Sequence, residues 1–506
     1  MGRFSNTREK RAVLNIFVSL CYQLVSIVCG IVIPQLMIKS FGSELYGATT
    51  SILNFLSYIT LLEGGIGGVA RAALYKPLAD NDTEKISAVV QELKSFFRII
   101  GYIFVVYSLI IAASFSKISH IEILNWKESF FLVLIISIST CAEYFFGVSY
   151  SVLIQSDQKT YVTDFIAIIT TILNTVFVVL LVAFGSSIFV VKFVGSCVFA
   201  LRPILLCLYV KHKYNLSTKE SATNKDLLKD KWVGLSQHIA YFLYSNTDIV
   251  VLTVFANLKA VSVYSVYSLV ITSIQSIALS SGSGMEAVFG EMIAKKEIKD
   301  LNDSFTNYET LLSIVVITLL SITYVMILPF VSLYTKGVTD VNYQQPLFAT
   351  LLICVSLVTC LRTPYHNVVI AAGAFRETQV AAYGEAILNI VLSILFVSKW
   401  GLVGVAIGTL VAVAFRFIFY VFFLAKNIIN RSIGTFLRRQ IINVSGFVLV
   451  IFLGEKISSN FIFANYLQWI LCAVLVSVMA FTIVVLLNLI FYRDFFKRFV
   501  RGKRDL

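Results

Sequence analysis

The residues that could do chemistry are the ionisable side chains set inside long apolar runs: Glu63, Arg71, Glu143, Lys192, Arg202, Asp248, Glu286, Arg362, Glu385 and Arg416. Near a bilayer centre each costs about 2.5–3.5 kcal/mol on insertion scales, so each needs a partner, a wet cavity or a function. Lys192, Arg71 and Glu286 lie near run ends and can snorkel to the interface. Glu63, Arg202, Arg362, Glu385 and Arg416 lie about 10–17 Å inside, at 1.5 Å per residue. Two readings stand for them: buried Arg–Glu pairs that fix helix packing, or the lining of a transport cavity. Arginine dominates this set, and the guanidinium fork binds phosphate oxygens in pairs, which suits an anionic pyrophosphate headgroup better than an organic cation. The candidate substrate-binding residues are Arg71, Arg202, Arg362, Arg416 and Glu63, with Tyr241 and Tyr244 offering ring faces and hydroxyls for sugars. Tyr264, Tyr267 and Tyr365 offer the same, and each tyrosine has packing as its alternative.

A second set could hold a small hard cation. Gln237, Tyr241, Tyr244 or Ser245, and Asp248 recur at helical spacing and make one polar stripe. Glu385 and Asn389 are four apart and share a face. Asp248, Glu385 and Asn389 with the Thr409 hydroxyl form an all-oxygen ligand set. Counting along the helices puts Asp248 about 24 Å up and Asn389 about 16 Å, so the set closes only if tilt absorbs the difference. The glycines at 64, 65, 67 and 68 read as close helix packing rather than a hinge. With no phosphate loop and no ATP-binding motif, no cofactor is expected; Na+ or H+ is the candidate coupling ion.

The elements that must position these residues are membrane helices. Of 506 residues, 58% are hydrophobic and only 14% charged, and mean hydropathy is +0.85. Soluble chains carry about a quarter charged residues. The sequence predicts an all-α polytopic membrane protein with about fourteen spans: 13–38, 46–74, 97–115, 129–154, 161–184, 187–210, 232–256, 260–288, 309–334, 344–372, 378–399, 402–425, 440–455 and 466–491, the thirteenth being short. Basic residues concentrate in alternate loops, which puts both termini in the cytoplasm. The same loops explain the net charge of +13 without nucleic acid, since they face anionic headgroups. The eight cysteines lie in apolar runs without ligand spacing and read as packing residues.

The predicted order is a basic N-terminus (1–12), a six-helix lobe (13–210), a linker (211–231), a second six-helix lobe (232–425), an appended helix pair (426–491) and a basic tail (492–506). The apolar hairpin from about Ala371 to Phe423, hinged at Trp400-Gly401, repeats an earlier one. Leu388-Asn389 falls on Leu173-Asn174, Gly408 on Gly195, and Arg416 close to Arg202, as expected of a duplicated bundle. Two even-numbered repeats point the same way across the membrane.

Several stretches resemble the polysaccharide repeat-unit flippases of the multidrug/oligosaccharidyl-lipid/polysaccharide exporter superfamily. They are Phe41-Gly42-Ser43-Glu44-Leu45-Tyr46-Gly47, Leu62-Glu63-Gly64-Gly65, Gln158-Lys159-Thr160-Tyr161, Asn246-Thr247-Asp248, Ala372-Gly373 before Arg376-Glu377-Thr378, and Trp400-Gly401-Leu402-Val403-Gly404. The resemblance implies two lobes around a V-shaped cavity, alternating access, and export of an undecaprenyl-pyrophosphate-linked oligosaccharide across a bacterial plasma membrane. It implies cavity arginines on the pyrophosphate, a sodium ion among the seventh, eleventh and twelfth spans, and polysaccharide polymerase or export proteins as partners. The alternatives are a multidrug or small-solute cation antiporter of the same fold, which would want an acidic cavity, and a membrane-embedded enzyme acting on lipid-linked sugars. The short outer loops leave such an enzyme little room, so no catalytic residue is assigned.

Overall fold

The computed structural model describes residues 2–64, 66–214, 216, 235–280, 282–429 and 431–492. Side chains are described for these except 2–9, 235–238, 240, 241, 244, 245, 282 and 283. The side chains of Tyr241 and Tyr244, most of the predicted linker and nearly all of the basic tail therefore lie outside the described residues.

Among the described residues the chain is helical throughout, without strands. The helices are α1 (Gly2–Ser57), α2 (Ile66–Asp80), α3 (Thr83–Ser119), α4 (Trp126–Ala142), α5 (Val148–Ser156), α6 (Thr160–Ala183), α7 (Ile188–Lys213), α8 (Leu235–Phe255), α9 (Leu258–Leu279), α10 (Gly282–Ala294), α11 (Ile298–Tyr334), α12 (Pro346–Ala371), α13 (Phe375–Asn427), α14 (Ile433–Ser458) and α15 (Tyr466–Phe491). Among the described residues eleven spans are long and apolar enough to cross a membrane, α4 and α5 counting as one through the turn between them. Two of these, α1 and α13, run well past the roughly 30 Å hydrocarbon core. Each is broken at one glycine outside the helical region, Gly42 (φ 83°) and Gly401 (φ 54°). Each therefore supplies two arms. With the 21-residue α8, the predicted fourteen arms are accounted for.

Three predicted spans are interrupted. The second does not run from 46 to 74: its helix ends at Ser57, a 3-10 turn covers Tyr58–Leu62, and Gly64 takes a left-handed φ of 36° before α2. A Cβ at Gly68 would meet nothing within 4 Å and one at Gly67 only Arg71 Nη1 at 3.9 Å, so these two do not serve the close helix packing expected from the sequence, and Gly64 stands at a break. The fourth carries a π turn at Glu143–Gly147, and the eighth stops at Leu279, where a Ser-Ser-Gly-Ser-Gly run begins. The thirteenth is longer than expected, 26 residues in α14.

The chain forms two compact units. The first comprises Met1–Phe242 with Asn257–Ser262; the second comprises Leu243–Ala256 with Val263–Leu506. The division falls inside α8. In the first unit, buried residues of α1, α3, α4, α6 and α7 make one apolar core, with Leu93, Phe104, Leu132 and Val210 fully enclosed. In the second, α11 is the central helix: it packs on α12, α14 and α15 and buries Phe305, Val316, Leu320 and Val331. The two arms of α13 lie antiparallel with their backbones close. A Cβ on Gly404 would fall 2.3 Å from the Phe396 carbonyl oxygen, and one on Gly408 2.7 Å from the Ser393 nitrogen. All eight cysteines are free.

Candidate functional site

Two polar clusters sit on the antiparallel arms of α13, one turn apart. The first gathers around Asp248 of α8, which is 4% exposed. The Thr409 hydroxyl lies 3.0 and 3.1 Å from its two carboxylate oxygens. Asn389 Nδ2 donates to Asp248 Oδ1 at 3.3 Å and to Thr409 Oγ1 at 2.9 Å. The Tyr264 hydroxyl of α9 donates to Asp248 Oδ2 at 3.0 Å. Three of the four predicted cation ligands thus meet, and the expected depth mismatch is absorbed in the geometry of the helices. The fourth, Glu385, does not join them. Tyr264, read from the sequence as a sugar-facing ring, takes its place.

The donor set can be tested against a cation from one atom. Asn389 is fully buried, yet its Oδ1 has no hydrogen-bond partner among the described residues. A half-turn of the amide would present that oxygen to the space shared by the Asp248 carboxylate and the Thr409 hydroxyl. One carboxylate with neutral oxygens is the chemistry a small hard cation takes. The residues present fit such an ion.

Glu385 forms the second cluster. It is 1% exposed and serves two guanidiniums: Oε2 accepts from Arg416 Nη1 at 2.5 Å, and Oε1 accepts from Arg362 Nη1 of α12. Arg416 also donates through Nε to the Tyr420 hydroxyl at 3.0 Å. Two positive groups share one negative group, leaving one positive charge over in a buried setting. The triad shows the buried Arg–Glu pairing of the first sequence reading, with one positive charge in excess.

The first unit holds the other predicted residues differently. Arg202 of α7 donates to the hydroxyl of Thr170 at 3.3 Å through Nε and 3.2 Å through Nη2, and to that of Thr171 at 3.5 Å. No carboxylate bonds it among the described residues. Thr170 precedes Asn174 by four residues, as Glu385 precedes Asn389, so the same register carries a hydroxyl in one hairpin and a carboxylate in the other. Asn174 Oδ1 lies 2.8 Å from where a Gly195 Cβ would stand. Glu63 accepts from the Tyr144 hydroxyl at 2.5 Å, with Glu143 and Arg202 close enough to interact electrostatically with one another. Arg71 bonds Gln155 at 3.3 Å, apart from this group. Tyr267 and Tyr365 are spent on the Tyr343 carbonyl (2.7 Å) and on Glu309 (2.6 Å).

No protein-family model matches the chain, and neither does any curated protein sequence. Solved structures do match. The lipid II flippase MurJ in an inward closed conformation superposes with a TM-score of 0.70 at 14% identity, over 95% of this chain and 99% of that one. The fold is that of MurJ and the MATE transporters. An inward-facing multidrug resistance MATE family transporter of the MOP superfamily gives 0.53 at 14% identity, over 82% and 98%. The MATE multidrug transporter DinF-BH gives 0.55 at 16%, over 84% and 96%. These MurJ-like and MATE-like neighbours are transporters and flippases, not enzymes.

The sequence reading missed Glu309, Arg431 and Arg439, which form a third buried ionic cluster in the second unit. On the sequence, Arg431 and Arg439 count only as loop charges that set orientation, and Glu309 stands at the rim of its predicted span. Nothing in their spacing announces the contact, which joins residues more than 120 positions apart.

Proposed function

We propose that the chain is a flippase that carries an undecaprenyl-pyrophosphate-linked oligosaccharide repeat unit from the inner to the outer leaflet of a bacterial plasma membrane by alternating access, for surface polysaccharide synthesis. The observation that carries this reading is the uncompensated charge of the Arg362–Glu385–Arg416 triad. Removing arginines from water with too few carboxylates is costly unless an anion completes the balance. Arg202, whose hydrogen bonds among the described residues go only to hydroxyls, serves the same purpose. A pyrophosphate linked to lipid supplies that anion in a form the guanidinium fork grips. Similarity to a lipid II flippase over nearly the whole chain supports the class of cargo.

Coupling follows from the Asp248 cluster. Asp248, Thr409 and Asn389 would hold a sodium ion, which supplies a binding free energy that differs between conformations and so can bias them. The site ties α8 to both arms of α13, so filling it would restrain the hairpin that carries Glu385 and Arg416. A proton on Glu63 or Glu385 is the alternative coupling ion.

A second reading, a cation antiporter, is favoured by one observation: in the first unit Glu143 lies close enough to interact electrostatically with both Glu63 and Arg202, two carboxylates to one arginine. Reconstitution into liposomes with a fluorescent lipid-linked oligosaccharide separates the two. Protein-dependent transfer of the probe between leaflets supports the flippase. Transport of a lipophilic cation without transfer of the lipid-linked probe supports the antiporter.

A further inference from the structure

The ionic cluster of α11, α12 and α14 is absorbed by neither the cargo nor the coupling ion. Glu309, 4% exposed, accepts on Oε2 from Arg431 Nη1 at 2.6 Å and from Arg439 Nη1 at 2.7 Å, and on Oε1 from the Tyr365 hydroxyl at 2.6 Å. Its carboxylate is fully used. The two arginines are not. Arg431 Nη2 and Arg439 Nε are buried and have no hydrogen-bond partner among the described residues, although Arg439 is only 6% exposed. Arg439 Nη1 also reaches the Thr306 carbonyl at 3.4 Å. Among the described residues, two guanidiniums against one carboxylate leave one positive charge unbalanced.

The surroundings add to that charge. Arg431 stands immediately before α14, whose first turn contains no acidic residue, so the positive end of the helix dipole points the same way. Ser432 caps the helix by accepting from the Gly434 amide at 3.2 Å. Both guanidiniums also lie over rings, Arg431 over Phe305 at 5.5 Å and Arg439 over Tyr492 at 4.9 Å. Ile433 and Leu437 on the same turns of α14 are 39% and 54% exposed, an apolar flank on the helix that carries Arg439. A charged donor pair beside an open apolar face matches a molecule with an anionic head and a hydrocarbon body.

We infer that Arg431 and Arg439, braced by Glu309, form a binding site for a phosphate-bearing anion, separate from the arginines that would meet the cargo. One phosphodiester supplies the missing charge and two acceptor oxygens, and its source is a membrane lipid headgroup or free phosphate. The site stands whatever the cargo is, because its readout is binding to the resting protein.

The test uses the purified full-length protein in neutral detergent, with native mass spectrometry and thermal midpoint as readouts. The probes are phosphatidylglycerol, diacylglycerol of the same chains, and inorganic phosphate. The site predicts retention of phosphatidylglycerol and a raised midpoint, with no effect of diacylglycerol. An equal response to inorganic phosphate assigns the free anion as source and still supports the site. Arg431→Gln should weaken phosphatidylglycerol binding at least tenfold. Glu309→Gln works in the opposite sense: it raises the local charge and should tighten binding several-fold. Should Arg431→Gln fail to fold, the Glu309→Gln affinity decides alone. Equal binding of phosphatidylglycerol to wild type and Arg431→Gln, weaker or unchanged binding to Glu309→Gln, or equal retention of diacylglycerol would overturn the inference and leave a purely structural cluster.

Discussion

Replacing Glu385 by Gln removes the one carboxylate that faces Arg362 and Arg416, whose side chains are only 11% and 7% exposed. Breaking a buried ion pair by deleting one partner costs about 3–5 kcal/mol, because a charge is left without its counter-ion. Here a single deletion strands two guanidiniums. Glutamine keeps the volume and one acceptor oxygen, so some bonding survives, and the cost should stay within that range. Arg362→Gln is different in kind. It leaves the Glu385–Arg416 pair intact and removes the excess positive charge, so only a charged hydrogen bond is lost, about 1.5–3 kcal/mol. Glu385→Gln should therefore be the less stable variant by about 2 kcal/mol. The double variant should lose less than the sum of the two, with a coupling of about 0.5–3 kcal/mol. Unfolding in mixed detergent micelles, followed by circular dichroism at matched protein concentration, ranks the three. Glu385→Gln matching or exceeding Arg362→Gln in stability, with additive effects, would refute the shared-carboxylate account.

Four further outcomes are expected. Arg202→Gln, Arg362→Gln and Arg416→Gln should each abolish surface polysaccharide while the protein remains in the membrane at wild-type level; normal polymer in all three removes the headgroup-binding role. Sodium at a hundred times its dissociation constant should stabilise the wild type by about 2.7 kcal/mol and leave Asp248→Asn unmoved, read as a thermal shift at fixed pH against potassium. Gly408→Ala should destabilise by about 1–3 kcal/mol, because the new Cβ falls 2.7 Å from the Ser393 backbone nitrogen. Gly290→Ala in α10, where nothing lies within 4 Å, should stabilise by about 0.5–1 kcal/mol, and comparable losses in both variants would contradict the packing argument. Outside the spans, Asp82 caps α3, and hydrogen bonds from the Lys85 side chain and amide lower its pKa. A lowered folded value means the cap is fully effective above the unfolded value of about 3.9 and is lost as pH falls through the folded one. Hydrogen-exchange protection of the Lys85 amide, corrected for intrinsic rates, should drop over that acid window in wild type but not in Asp82→Ala.

The span pattern was legible because twenty-residue apolar runs bounded by basic loops have few other readings. The Asp248, Asn389 and Thr409 contact was partly legible: polar residues at helical spacing on apolar helices must face protein. Glu385 shows where that reasoning stops. It shares a helix face with Asn389, yet one turn along that face the neighbouring helix changes from α8 to α12, and its partners are arginines. A local period fixes a direction from the helix axis and says nothing of which element stands there. Tyr264 and Tyr365 mislead for a related reason, since a tyrosine spent on a buried carboxylate has the same sequence surroundings as one that faces a cavity. The break at Gly401 was visible as the hinge of the apolar hairpin, whereas the one at Gly64 was hidden in a glycine run that reads as close helix packing. The π turn at Glu143–Gly147 carries no comparable residue signal.

The break at Gly401 bears on how the chain enters the membrane. A connection of one non-helical residue leaves no stretch that could wait in water while the first arm of α13 settles alone in lipid, so the two arms must go in as one helical hairpin. Each arm carries a charge that is costly on its own, Glu385 on the first and Arg416 on the second. Entering together, they travel as a neutral pair, already bonded when they meet the helices that precede them in the chain. Arg362, on the separately inserted α12, has no such escort and depends on the later hairpin to bring its partner. Assembly of this region therefore has a direction, with α13 completing what α12 leaves unpaired.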